Sequence, residues 1–267
     1  MIDKTAKLDP TASVDAKAEI AERCFIGPGS RLVGYVKADK LVRIDSNVTV
    51  YGPAEIGESA YIGSNCILGH PTRRELSKIL ETGGLESKAV EGKILKVGRG
   101  CRIRAGCIIY SDVTVGNEVE FGHNVLVREN VRIGDNSRIG TNVVIDGSCK
   151  IGRGVSIQTG VYLCAYSNVE DYVFLGPYCV FTNDKYVMQK KVKLVGPTVK
   201  RGASIGANAT LMAGITIGEG AVVGAGSVIT RNVPRRSICF GVPARRRKKI
   251  PETWRPILEE TDLIRNR

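Results

Sequence analysis

An all-β fold of short parallel strands, stacked coil upon coil, is predicted by three regularities in this chain of 267 residues. A large apolar residue recurs at every sixth position, a small or β-branched residue stands four positions after it, and glycine often follows it directly. Repeats are read before local propensity, because a missed period misassigns the whole fold.

The first run steps by six from Leu8 through Val14, Ile20, Ile26, Leu32, Ala38, Ile44, Val50, Ile56 and Ile62 to Leu68. The second is unbroken from Val97 to Phe181 and includes Ile103, Ile109, Phe121, Ile139, Ile157 and Leu175. The third is Val199, Ile205, Leu211, Ile217, Val223 and Ile229. Four positions on stand Ala12, Ala18, Cys24 and Ser30, then Val113, Val119, Val125 and Val131, then Ala203, Ala209 and Ala221. Positions one and five of a hexad cannot share one face of a helix with a period of 3.6. Both point inward if each hexad is a short strand plus a corner, with Gly, Asn or Asp absorbing the unusual backbone angles there. Three hexads then close one triangular coil, so the period of the stack is about 18 residues. Successive coils stack at the parallel-strand spacing of roughly 4.8 Å. Each buries its inward residues against the coils above and below.

Two segments interrupt the pattern. Residues 69–96 are charged and polar, and the hexad phase changes across them, which predicts a projecting loop with a short helix near Arg74–Glu81. Residues 182–198 form a second loop, after which the phase resumes unchanged. Loops that leave a rigid scaffold often carry the site. The expected organisation is a β-helix domain over 1–234 and a C-terminal part over 235–267. That part would be a basic tail and a short helix near Glu252–Ile264.

Composition narrows the partners. Hydrophobic residues make up 43%, enough for a real core. The net charge is +12, but the basic residues are dispersed except at Arg245–Lys249, and aromatics are only 6%. Scarce stacking platforms argue against nucleic acid and for a phosphate-bearing small ligand. No apolar run is long enough to span a membrane, and the N-terminus lacks the apolar core of a secretion signal. The cytoplasm is the expected location. Cys24, Cys66, Cys101, Cys107, Cys149 and Cys179 all take the inward fifth position and read as core fillers. None lies three hexads from another, so no vertical stack of sulfurs is expected. With no C-x-x-C spacing, neither disulfides nor a metal site is expected.

Three segments add specificity. VFLGPYCVFTNDKY (Val173–Tyr186) resembles the F-T-N-D-x-Y stretch of nucleotide-amino-sugar N-acetyltransferases. FGHNVLVRE (Phe121–Glu129) resembles the G-H-N stretch of the branch acting on 3-amino or 4-amino dideoxy sugars carried on dTDP or UDP. GVPAR (Gly241–Arg245) resembles the G-x-P-A-[KR] motif of many hexapeptide acyltransferases. Together with the repeats, which cover about residues 8–250, these segments make the chain resemble the left-handed parallel β-helix acyltransferases. The resemblance implies the left hand of the helix, against the usual right-handed crossover. It also implies acetyl-CoA as acyl donor, a homotrimer with sites between neighbouring prisms, and a role in surface glycan biosynthesis.

His123 is the candidate general base. It takes the outward third position of its hexad, and an amine must lose its proton before or while it attacks a thioester carbonyl. The alternatives are a solvated corner histidine, or a reaction in which the departing thiolate takes the proton. Asn124 and Asn142, three hexads apart, read as a polar ladder beside His123 that binds substrate, or equally as turn formers. Asn183 and Asp184 sit where the chain leaves the prism, as catalytic partners for the sugar ammonium or as an Asx turn. Tyr186 and His70 complete the substrate candidates. For CoA, the amides at the small corners Ala213, Gly214, Ala225 and Gly226 would meet pantetheine, and Arg245 and Arg246 the phosphates.

Other chemistries on this kind of repeat fit less well. A γ-class carbonic anhydrase needs three histidines on zinc, and the chain has two in all. A sugar-nucleotide pyrophosphorylase needs an N-terminal α/β domain where the repeats already begin. A non-catalytic scaffold for protein assembly and an O-acetyltransferase of the same fold remain as alternatives.

Overall fold

The computed structural model describes residues 1–82 and 93–260. The chain divides into two compact units, Met1–Asn130 and Val131–Arg267. Among the described residues each is a parallel β-solenoid, consistent with the left-handed β-helix of hexapeptide repeats.

In the first unit the strands fall into three parallel sheets. One holds Phe25–Ile26, Arg43–Ile44, Tyr61–Ile62, Arg102–Ile103 and Glu120–Phe121; another holds Thr49–Tyr51, Ile67–His70, Ile108–Tyr110 and Leu126–Val127. The third includes Val36–Ala38, Ala54–Ile56, Leu95–Val97 and Val113–Val115. Partners such as Ile26 and Ile44 lie one coil apart. The aliphatic ladder explains why strands this short hold: Ile26, Ile44, Ile62, Ile103 and Phe121 are all fully buried. Burying such a side chain contributes roughly 1.5–3 kcal/mol.

The fifth position has its own logic. Cys24 Sγ donates to Asp39 O at 3.0 Å, Cys101 Sγ to Gly116 O at 3.0 Å and Cys107 Sγ to Gly122 O at 3.2 Å. Ser30 donates to Asp45 O at 2.7 Å and accepts from the Val48 amide at 3.1 Å. A small inward side chain with one donor thus satisfies a corner carbonyl of the next coil that would otherwise be buried without a partner. All eight cysteines are free and buried.

One expectation about sulfur fails. Ile67 pairs with Ile108 across the first loop, so the chain between these partners is longer than one regular coil. The insertion brings Cys66 and Cys107 into stacked positions. The adjacent Cys66 sulfur, together with burial, pushes the Cys107 thiol up. Counting in whole coils missed the stack because the loop consumes chain without consuming height.

The first loop carries the helix Arg73–Thr82, which starts and ends within a position of expectation. Its start is a capping box: the Thr72 amide donates to Glu75 Oε2 at 2.6 Å and the Glu75 amide to Thr72 Oγ1 at 3.4 Å. Residues 83–92 of the expected loop lie outside the described residues.

The second unit repeats the three sheets. One runs Arg138–Ile139, Ser156–Ile157, Phe174–Leu175, Ser204–Ile205 and Val222–Val223; another Val144–Ile145, Tyr162–Leu163, Val180–Phe181, Thr210–Leu211 and Val228–Ile229. The third holds Val131–Ile133, Lys150–Ile151, Asn168–Val169, Thr198–Val199 and Thr216–Ile217. Most corners place Asn or Gly in the left-handed region, as at Asn136, Asn208 and Gly214. One coil departs from this, with Tyr166, Tyr172 and Tyr178 at its three corners, φ 68°, 57° and 57°. Left-handed backbone at a bulky residue costs about 1–2 kcal/mol. Compensating contact comes from the coil before: a Cβ on Gly160 would collide with the Tyr178 ring, so the glycine makes room for the ring to lie flat over it.

The segment expected as a basic tail begins instead as a β-hairpin. Ser237–Gly241 pairs parallel with Val222–Val223, and Ala244–Lys249 pairs antiparallel with Ser237–Gly241. Of the expected helix Glu252–Ile264, residues 257–260 are helical, and 261–264 lie outside the described residues.

Candidate functional site

In the first unit, His123 and Asn124 occupy the corner between Glu120–Phe121 and Leu126–Val127, and both are exposed. The corner is fixed from below. Asn124 has φ 54°, its amide donates to Ala105 O at 3.1 Å, and its carboxamide oxygen sits where a Cβ on Gly106 would be. Asn124 therefore forms the turn that presents His123 outward. His70, at the end of Ile67–His70, has Nδ1 2.9 Å from Pro71 O and its ring 4.7 Å from that of Tyr110. Arg128 also lies over Tyr110, 5.1 Å from the ring centroid, and pairs with Glu129 at 2.9 Å. His70 is thus packed into a polar and aromatic row at the root of the first loop.

In the second unit, Asn142 has φ 56° and is exposed, again forming a turn. At the exit of the second loop, Asn183 Nδ2 donates to Ala165 O at 3.3 Å, and its backbone carbonyl accepts from the Val195 amide at 3.0 Å, closing the loop. The Asp184 carboxylate accepts from the amides of Tyr186 at 2.8 Å and Met188 at 2.7 Å. Those backbone bonds, the one from Tyr186 first, hold its carboxyl below the usual range. Both oxygens of Asp184 are engaged by its own loop. Tyr186 is exposed, with Lys190 5.4 Å and Lys185 6.0 Å from its ring centroid.

The four small corners divide. The Gly214 amide donates to Val195 O at 2.9 Å and that of Gly226 to Ala207 O at 2.8 Å, so neither is open to a ligand. The amides of Ala213 and Ala225 have no protein acceptor among the described residues. Arg245 and Arg246 lie in the strand Ala244–Lys249, opposite Phe240 and Cys239, with both side chains exposed. Among the described residues no group of three or more His, Cys, Asp or Glu could hold a metal ion, and no helix is long and apolar enough to cross a membrane.

Sequence reasoning missed one feature. A cavity of about 620 Å³ lies between the strands around Phe174 and Val222 and the segment 250–260, with Arg201, Arg236 and Trp254 in its wall. A faint signal existed: Phe174 takes an outward position where the coils on either side place Ser156 and Ser204.

Comparison with known proteins agrees with this architecture. The bacterial transferase hexapeptide (six repeats) family matches residues 95–129, 130–165 and 196–231. None of the curated proteins matches the chain. Among solved structures, an Arabidopsis UDP-N-acetylglucosamine acyltransferase is similar over 100% of this chain and 77% of its own, at 17% identity and TM-score 0.56. A hexapeptide-repeat acetyltransferase from Vibrio cholerae, complexed with acetyl-CoA, covers 45% of this chain and 71% of its own, at 23% identity and TM-score 0.39. A mutant perosamine N-acetyltransferase from Caulobacter crescentus, in complex with CoA and GDP-perosamine, covers 70% of each chain, at 20% identity and TM-score 0.30. The chain is therefore a hexapeptide-repeat β-solenoid, with repeats of the bacterial transferase hexapeptide kind matched over residues 95–129, 130–165 and 196–231.

Proposed function

We propose that this protein transfers an acyl group, acetyl in the simplest case, from CoA to the amine of a nucleotide-linked amino sugar on dTDP or UDP. It would act in the cytoplasm, in surface glycan biosynthesis. The observation that carries this reading is His123, presented outward by a G-H-N corner on a hexapeptide-repeat coil. The sugar nitrogen attacks the thioester carbonyl carbon, and the C–N bond forms as the C–S bond breaks. The imidazole of His123 takes the proton leaving the nitrogen, and the CoA thiolate departs and is protonated. Asp184 orders the second loop, Asn183 anchors it, and Tyr186 offers the sugar or base an aromatic face. The Ala213 and Ala225 amides supply donors for pantetheine.

A homotrimer fits the second unit's surface. The outward row Val144, Tyr162, Val180, Thr210 and Val228 is largely apolar, with Tyr162 36% and Val180 38% exposed. The corresponding row of another sheet is Arg132, Lys150, Asn168, Thr198 and Thr216. An exposed apolar row beside polar ones is the surface that self-association covers.

The test is a panel of dTDP- and UDP-linked amino sugars with acetyl-CoA, read as thiol release, on a preparation whose mass is measured by light scattering. Release with at least one amine and the mass of three chains are expected. No release with any amine returns the protein to the scaffold reading, and release only with hydroxyl acceptors makes it an O-acyltransferase.

The basic strand gives a separate expectation. Changing Arg245 and Arg246 together to Ala weakens acetyl-CoA binding, each charge-assisted phosphate contact being worth roughly 1.5–3 kcal/mol. The melting transition hardly moves, because both side chains are exposed. Unchanged affinity in calorimetry would remove these residues from the CoA site.

A further inference from the structure

The cavity under residues 250–260 is lined by none of the residues assigned above. At about 620 Å³ it falls within the range of small-molecule sites, roughly 300–1,000 Å³. Its floor is a sheet face carrying Phe174 and Val222, and its opposite wall carries Trp254, Ile257 and Leu258.

The roof is tied down at both ends. Arg236 Nη2 donates to Pro251 O at 3.1 Å, and the Ile250 amide donates to Arg236 O at 3.0 Å. At the other end Arg201 pairs with Glu259 at 2.5 Å and with Asp171 at 3.4 Å, while its guanidinium carbon lies 4.6 Å from the Tyr172 ring centroid. The cavity is a built space rather than a gap under a loose end.

Its charge is unbalanced. The lining holds three guanidinium groups, Arg201, Arg236 and Arg255, against two carboxylates, Glu219 and Glu259. Arg201 is neutralised by its carboxylate partners. Arg255 donates to the carbonyls of Glu252 and Trp254, and Arg236 to that of Pro251. A carbonyl occupies one of a guanidinium's five N–H donors and cancels none of its charge. Arg236 therefore retains both charge and donors at the edge of an apolar space. Two aromatic side chains in the wall, Phe174 and Trp254, suit a flat ring, which packs against other rings by offset or edge contacts.

We propose that this cavity binds an aromatic monoanion: a ring held between Phe174 and Trp254, with one carboxylate meeting the Arg236 guanidinium. The site is independent of the acyl-transfer reading. Trp254 is the chain's single tryptophan, so its fluorescence reports occupancy without a label. Titration of the full chain with 3-phenylpropionate gives a saturable change in that emission, and phenethylamine, its cationic counterpart, gives none. Arg236→Gln weakens the apparent affinity about tenfold or more, and Arg236→Lys weakens it less. Because Arg236 also holds the roof, Phe174→Ser is the second variant. It leaves the 250–260 tethers intact, gives the floor the residue found at Ser156 and Ser204, and lowers affinity with an unchanged far-ultraviolet spectrum. The proposal is overturned by a flat titration, by an equal response to phenethylamine, or by unchanged affinity in both variants.

Discussion

Replacing His123 with alanine lowers turnover by roughly two to four decades at neutral pH and leaves the melting temperature nearly unchanged. The two halves of this expectation come from different parts of the structure. His123 is exposed on a corner whose backbone is set by Asn124 and Gly106, so its imidazole contributes little to packing. Transfer to an amine, in contrast, needs a proton acceptor in the transition state. Losing it lowers kcat and kcat/KM together, while ground-state affinity moves much less. Turnover above about a tenth of the parent would move the role to the leaving thiolate.

Phe121→Ala, close by in the chain, should show the reverse. Phe121 is fully buried and stacks in register on Ile103. Removing a buried phenyl ring costs about 3–5 kcal/mol, part lost transfer energy and part the cavity left behind. In a stacked solenoid each coil touches only its neighbours, so the loss falls on the interface with the coil that carries Ile103 rather than being shared along the stack. A urea melt should therefore shift to a markedly lower midpoint. A loss below about 1 kcal/mol would mean that the coil collapses into the space, contrary to the usual stiffness of close-packed interiors.

The difference between those two residues was legible in the sequence, because the hexad grid alone assigns Phe121 inward and His123 outward. The same grid marks the inward cysteines and the start of the first loop, and the helix expected there lies within a position of its observed bounds, Arg73–Thr82. What the grid misses depends on chain that leaves it. Cys66 meets Cys107 only because an insertion adds length without adding a coil. The run Arg245–Lys249 reads as a solvated tail by charge. It is a strand because Ser237–Gly241 continues the sheet and offers it an edge. Asp184 reads in sequence either as a partner for the sugar ammonium or as an Asx turn, and the backbone amides of its own loop occupy it. The cavity beside Trp254 exists only once residues 250–260 fold back across Phe174.

The hairpin that closes one sheet of the second unit has a consequence for the protein in crowded solution. A stack of identical parallel coils has no intrinsic stopping point. Its last coil presents unpaired amides and carbonyls on which another molecule's first coil could continue the ladder, end to end, into a filament. Here one edge of the sheet that carries the hairpin is closed by a strand of reversed direction, so an incoming coil finds the wrong hydrogen-bond pattern. That strand also bears Arg245, Arg246, Arg247, Lys248 and Lys249, all exposed, so a second copy that docked through its own hairpin instead would bring the same five positive charges against it. Mismatched direction and like charge together make this sheet edge a terminus rather than a template.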